Sequence, residues 1–249
     1  MTEQTEWRKT VLSPDIDFPE GFVLPVDKPL GWTSFDLVRK IKGVLRHLGY
    51  KKIKIGHAGT LDPLATGVLV VCIGRATKQV EALQAEEKEY VAEVTLGATT
   101  PSYDLEHPVD RTYPYEHITR EAVGEALRAM TGEQLQTPPV FSAKMIDGKR
   151  AYEHARKGTE VAMRKALVRI YEMELVAFDL PKVTLRIRCS KGTYVRAIAR
   201  DLGGALGSGG HLTALRRTRS GGFRAENAYT VEEIVKNLTE VKQNRFPHV

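Results

Sequence analysis

Residues 68–73, Val-Leu-Val-Val-Cys-Ile, are apolar without a polar interruption. So short and uniform a run reads as a buried strand. It is also the longest aliphatic stretch in the chain, and it falls far short of the ~20 residues a membrane-spanning helix needs. Two other segments alternate with period two: Tyr90, Ala92, Val94 and Leu96 against Val91, Glu93 and Thr95, and Val183, Leu185, Ile187 and Cys189 against Thr184, Arg186 and Arg188. Both are expected as strands with one buried face.

Helical spacing begins at Thr33-x-x-Asp36, a capping box, and continues through Leu37, Val38, Ile41, Val44, Leu45 and Leu48 until Gly49. Further helices are expected over residues 119–130, over 150–157 closed by Gly158, over 194–206, and over 230–238 behind a second capping box, Thr230-x-x-Glu233. The strands are not followed regularly by helices, so the fold class is α+β with a mixed, mostly antiparallel central sheet flanked by helices. No repeat, heptad array or low-complexity tract is present.

A chain of 249 residues, 42% hydrophobic, has enough apolar material for a sizeable core. Its first fifteen residues lack the apolar core of a secretory signal. There are two cysteines, Cys72 and Cys189, in no Cys-x-x-Cys arrangement, which leaves neither a zinc site nor a redox disulfide. The expectation is a soluble cytoplasmic protein, not associated with a membrane, whose cysteines are reduced core residues. Lys and Arg total 37 against 31 Asp and Glu, a modest net +6. Its distribution says more. Residues 37–61 hold seven Lys or Arg and no acid, and residues 186–224 hold nine with one acid, Asp201. Two such segments could line one phosphate-binding groove, or each could be a solvated face.

The least ordinary stretch is residues 56–67, Gly-His-Ala-Gly-Thr-Leu-Asp-Pro-Leu-Ala-Thr-Gly, a loop that delivers the chain into the aliphatic run. Its glycines match neither GxGxxG nor the Walker pattern, so it is not a nucleotide-phosphate cradle. Asp62 stands before a proline, which biases it towards extended backbone, and between Leu61 and Leu64. It is either a turn former or a carboxylate held for chemistry.

With its continuation into residues 68–71, this loop resembles the signature of the TruB family of pseudouridine synthases. Other segments match in family order: Asp27-Lys28-Pro29-Leu30-Gly31-Trp32-Thr33-Ser34, Lys88-Glu89-Tyr90, Pro138-Pro139-Val140-Phe141-Ser142-Ala143-Lys144, Lys191-Gly192-Thr193-Tyr194-Val195-Arg196 and His211-Leu212-Thr213-Ala214-Leu215-Arg216-Arg217. The resemblance covers residues 21–224. It implies a pseudouridine synthase-like catalytic domain that isomerises uridine 55 in the T loop of tRNA, with Asp62 as catalytic carboxylate. It further implies that Arg196 pairs with Asp62, Tyr90 stacks on the flipped base, Tyr194 and Leu215 line the pocket, Lys28 holds its floor and His57 fills the space the base leaves. The ordinary alternatives are Tyr90 in the core, Leu215 in helix packing and His57 as a loop hydrogen-bond donor.

The reaction breaks the N1–C1′ bond, turns the uracil and rejoins it through C5, so it calls for no cofactor and no metal. The carboxylate either attacks the substrate or removes a proton from C2′ to give a glycal. The implied partner is tRNA through its T arm, with no obligatory protein partner. Residues 1–20 read as an N-terminal extension and 21–249 as the catalytic domain. The 26 residues from Arg224 onward are too few for the C-terminal PUA domain many family members carry, so none is expected. Residues 99–107 depart from the family's Thr-x-Thr-x-Asp-x-x-Gly pattern at Pro101 and His107, which leaves the geometry of that loop and the role of Asp104 open, and His154 stands at a usually aliphatic helix position. Two readings compete: a guide-RNA-dependent synthase working with protein partners, and a non-catalytic RNA-binding or RNA-folding module.

Overall fold

The computed structural model describes residues 16–142, 145–146, 149–151 and 163–245, together with Trp7, Lys9 and Leu12. Its strands are β1 Phe22–Lys28, β2 Ile55–Ala58, β3 Ala65–Ile73, β4 Lys88–Leu96, β5 Ala98–Thr99, β6 Arg111–Thr112, β7 Gly132–Gln136, β8 Met145–Ile146, β9 Lys149–Arg150, β10 Ala166–Asp179, β11 Lys182–Cys189, β12 Gly210–Ser220 and β13 Phe223–Arg224. Its helices are α1 Ser34–His47, α2 Val80–Ala85, α3 Arg120–Ala129, α4 Val195–Ala205 and α5 Val231–Arg245. The chain forms two compact units, Met1–Glu89 with Arg216–Val249, and Tyr90–Leu215, and the division falls inside β4 and β12.

The aliphatic run organises the first unit. Every residue of β3 except Thr66 is buried. It pairs antiparallel with β1 from Phe22↔Ile73 to Lys28↔Gly67, and with β2 from Ile55↔Ile73 to Ala58↔Val70. Val68 and Val70 pack with Ala58, Ala225 and Ala228 in one cluster. Helix α1 turns Leu37, Ile41 and Leu45 inward. The Thr33 hydroxyl accepts from the Asp36 amide at 2.9 Å and the Asp36 carboxylate accepts from the Thr33 amide at 3.1 Å, so the expected box closes both ways.

In the second unit the sheet order is β12, β4, β11, β10, β7. β10 pairs antiparallel with β11 from Ile170↔Cys189 to Asp179↔Lys182 and with β7 from Ala166↔Gln136 to Ile170↔Gly132. β4 and β11 alternate as the sequence implies, with Tyr90, Ala92, Val94 and Leu96 buried on one and Val183, Leu185, Ile187 and Cys189 on the other. Helix α4 buries seven of its eleven residues. It lies so near the start of β12 that a Cβ on Gly203 would overlap the Gly209 and Gly210 backbone.

The α+β class and the antiparallel sheet agree with the sequence reading. α1, α3 and α4 fall within a residue or two of their expected ends. α5 starts behind Thr230, whose hydroxyl accepts from the Glu233 amide, and continues seven residues past the expected end at 238. The helix expected from residue 150 is corrected at its first position, because Arg150 belongs to β9. Its remainder from 152, with His154 and Gly158, lies outside the described residues, as do Ala143 and Lys144. Among the described residues no helix is long and apolar enough to cross a membrane.

Candidate active site

Of the residues expected to do chemistry, Lys28, His57 and Asp62 belong to the first unit, and Tyr90, Tyr194, Arg196 and Leu215 to the second.

In the first unit, the segment around Asp62 is tied down on both sides. The fully buried Lys28 ammonium donates to the carbonyls of Pro29 at 2.9 Å, Trp32 at 2.6 Å and Pro63 at 3.4 Å. The Gly31 amide also reaches the Pro63 carbonyl, at 2.9 Å. On the other side of Asp62, the Ser34 hydroxyl accepts from the Leu61 amide at 2.9 Å and donates to the Leu61 carbonyl at 3.0 Å. The buried guanidinium of Arg217 donates upstream to the Gly59 carbonyl at 3.1 Å and downstream to the Val68 carbonyl at 2.8 Å. The Asp62 carbonyl itself accepts from the Ala65 amide at 3.1 Å. Gly67 sits at φ +102 where a Cβ would overlap the Arg217 backbone, so only glycine lets β12 approach β3 here.

Burial pushes the Lys28 ammonium down to about 8, the Asp62 carboxylate pulls it back up, Arg217 pushes it down again and Asp27 pulls it up. The Asp62 carboxylate is therefore in electrostatic contact with the buried Lys28 ammonium. His57, half-buried on β2, has its pKa lowered by desolvation first and by the Arg217 charge second, so it is neutral at pH 7. Its Nδ1 is buried with no hydrogen-bond partner among the described residues.

In the second unit, Tyr90 is 8% exposed on β4. Tyr194 precedes α4 and is locked by Gln136, whose side chain accepts from the Tyr194 amide at 2.8 Å and donates to its carbonyl at 3.2 Å. Arg196, buried on α4, donates to the Ser102 carbonyl at 3.1 Å and lies 3.7 Å from Asp104. Asp104 in turn accepts from the Ser102 hydroxyl at 2.6 Å and the Glu106 amide at 3.0 Å, while the Thr100 hydroxyl donates to its carbonyl at 2.7 Å. Between them Tyr103 is held at φ +61, a conformation that a non-glycine side chain adopts at a cost. Asp104, whose role the sequence leaves open, thus supplies a counter-charge to Arg196. Leu215 is half-buried on β12, a strand, so the helix-packing alternative for it does not apply.

Nothing in the sequence singles out Ser34 or Arg217. Their only signal was membership in the Asp27 and His211 motifs, where nothing in the spacing distinguishes a residue that grips the loop from its neighbours.

The two basic segments differ in what they leave available. In the later one, Arg186 pairs with Glu174, Arg188 with Glu172, Arg196 with Asp104, Arg200 with Asp201, Arg216 with Asp27 and Arg219 with Glu87, while Arg217 is buried on carbonyls. In residues 37–61, among the described residues, only Arg39 has an acidic partner, Asp36. Lys40, Lys42, Arg46, Lys51, Lys52 and Lys54 are exposed. Lys52 and Lys54 also line a depression of about 480 Å³ with Tyr50, Arg75, Thr77 and Lys78. Among the described residues no cluster of His, Cys, Asp and Glu is arranged to hold a metal.

Residues 46–195 match the N-terminal domain of the TruB family of pseudouridylate synthases, and residues 196–246 match the tRNA pseudouridylate synthase B C-terminal domain. The chain is 57% identical over 226 residues to tRNA pseudouridine synthase B of Phocaeicola vulgatus, covering 90% of this chain and 96% of that one. It is 56% identical over 235 residues to tRNA pseudouridine synthase B of Parabacteroides distasonis, covering 92% and 100%. Among solved structures, a Cbf5-Nop10-Gar1 complex is similar with a TM-score of 0.72 and 28% identity over 99% of this chain, and an H/ACA RNP bound to a substrate RNA containing 2′-deoxyuridine with a TM-score of 0.66 and 28% identity over 90%. This chain spans 63% and 55% of those two chains.

Proposed function

The chain belongs to the TruB family of pseudouridylate synthases, and on that premise we propose that it isomerises uridine 55 in the T loop of tRNA, with Asp62 as the catalytic carboxylate. The observation that carries this reading is the anchoring of Leu61 and Pro63, the two neighbours of Asp62, by side chains and main chain from outside the loop. A turn-forming aspartate has no need of such support. A carboxylate that must meet a sugar within a fraction of an ångström does.

A base stacked in a folded RNA loop has to be turned out before Asp62 reaches it, at a cost of a few kcal/mol. Tyr90 receives the flipped uracil by stacking, Tyr194 and Leu215 line the receiving pocket, and the neutral ring of His57 fills the place the base vacates. Lys28 holds the floor through Pro63. The Arg196 guanidinium, oriented by Asp104, supplies a fixed positive charge for the reaction. The N1–C1′ bond breaks, the uracil turns, C5 bonds to C1′, the C5 proton leaves and N1 gains a proton. Atoms and electrons balance within the substrate, so the chemistry calls for no cofactor.

Residues 21–249 act as the catalytic domain, in the cytoplasm and without an obligatory protein partner, and the cations of residues 37–61 contact T-arm phosphates. The test is to incubate the purified protein alone with an unmodified tRNA transcript, then with a T-stem-loop hairpin, and map pseudouridine. Modification at position 55 of both RNAs is the expected result. An inert protein that converts uridine only when protein partners and a guide RNA are added would overturn the stand-alone reading. A hairpin that is inert while whole tRNA reacts would overturn T-arm recognition.

A further inference from the structure

We infer that Ser34 is a positioning residue for the reaction, fixing the backbone from which Asp62 projects. The inference rests on the catalytic assignment of Asp62. Ser34 is the first residue of α1, directly after the Thr33 cap, and it is 27 residues from the loop it grips. Its hydroxyl makes both of its hydrogen bonds to one residue, accepting from the Leu61 amide at 2.9 Å and donating to the Leu61 carbonyl at 3.0 Å. Ser34 is 3% exposed and Leu61 4%, so water cannot stand in for the hydroxyl. Two bonds to the amide and carbonyl of one residue restrain both of its backbone dihedrals, and the next Cα is that of Asp62.

Helix capping does not account for this contact. The cap of α1 is complete without it, through the Thr33 hydroxyl on the Asp36 amide and the Asp36 carboxylate on the Thr33 amide. Nor does apolar packing, since a hydroxyl in a buried site is a cost unless its bonds are made. The bond to Leu61 works together with the anchors on Pro63: one side of Asp62 is held from Ser34, the other from Lys28 and Gly31. A catalytic group displaced by about 1 Å can lose about a hundredfold in rate with little change in ground-state binding.

Ser34→Ala removes the two bonds and little else. The expected outcome is a single-turnover rate on saturating tRNA lowered about ten- to a hundredfold, with the Kd for tRNA within about twofold of the parent. Thr33→Ala is the control, because it weakens the start of the same helix while leaving Ser34 and Leu61 bonded. It should lower the unfolding midpoint yet keep the single-turnover rate within about twofold. Ser34→Cys keeps the size with a weaker donor and should fall between parent and Ser34→Ala. It also carries the test if Ser34→Ala does not fold. A Ser34→Ala rate equal to the parent's, a loss confined to Kd, or an equal slowing in Thr33→Ala would each overturn the inference. An inert parent protein would instead sink the functional reading on which it rests, so the two failures are distinct.

Discussion

Arg196 Nε lies 3.7 Å from Asp104 Oδ2, with only 5% and 8% of the two side chains exposed. A buried cation of this kind is costly to leave uncompensated, and removing one partner of such a pair costs about 3–5 kcal/mol. Asp104→Asn keeps the shape and the Ser102 neighbour but deletes the charge. It should lower stability by about 3 kcal/mol in urea unfolding and slow single-turnover conversion at least tenfold. Unchanged stability and rate would return Asp104 to the status of an ordinary turn residue.

Asp62→Asn and Asp62→Ala should both abolish pseudouridine formation while tRNA affinity stays within about tenfold. A carboxylate that does chemistry adds little to the ground-state binding of a polyanion, and removing its charge can even strengthen it. Filter binding beside a tritium-release assay separates the two quantities. A variant that retains more than a few per cent of the parent rate is incompatible with the assignment.

Tyr90 makes a finer test, because its ring and its hydroxyl are separable. If the hydroxyl relays the C5 proton, Tyr90→Phe keeps the stacking face, binds normally and reacts much more slowly, whereas Tyr90→Ala also weakens capture of the base. Single-turnover rates near the parent's in both variants would leave Tyr90, 8% exposed on its strand, as a core residue.

Lys28, lowered by burial to about 8, gives two opposite pH effects. As pH rises through about 8 the ammonium loses its proton and its grip on Pro63 weakens, so the single-turnover rate should fall above pH 8, a decline absent in Lys28→Met. Stability moves the other way. The unfolded chain keeps this proton up to its ordinary value of 10.5, so between about 8 and 10.5 the unfolded state binds more protons and the contribution to unfolding free energy rises with pH. Relative to Lys28→Met, the parent should gain up to ~1.4 kcal/mol per pH unit in that window, and nothing below pH 7. Urea midpoints measured from pH 7 to 10.5 check the sign.

Exposed cations should govern RNA affinity without entering the chemistry. Replacing Lys52, Lys54 and Lys78 around the 480 Å³ depression with Gln should weaken binding of every RNA. The slope of log affinity against log salt should flatten by roughly 2, since each phosphate contact contributes about 0.7 to 0.9. The rate at saturation should stay at the parent value. A slope that does not change would place the RNA elsewhere.

The sheet was legible where burial follows a simple period. β3 announces itself by unbroken apolarity, and β4 and β11 by alternation. β10 does not, because register shifts between Ile170 and Glu172 and between Leu175 and Ala177 interrupt its period of two, so neither face reads as continuous. β12 is masked by function: Arg216, Arg217 and Arg219 read as surface charge, yet one is buried on carbonyls and two are paired with acids distant in sequence. The site divides similarly. Asp62 stands out by its loop, and the motifs around it name the candidates. What a linear pattern cannot express is which neighbour holds which carbonyl, and so Ser34, Asp104 and Arg217 emerge only in three dimensions.

Cys72 lies on β3 in the first unit and Cys189 on β11 in the second, each with 0% exposure, and burial pushes the Cys72 thiol up to about 11. The protein therefore carries one chemically silent reporter per unit. Alkylation pulses followed by peptide mass mapping would time the opening of each unit separately, with no label attached to the folded molecule. The same silence lets a new cysteine at exposed Lys52 be derivatised alone, so a fluorophore could follow RNA arrival without first deleting either native thiol.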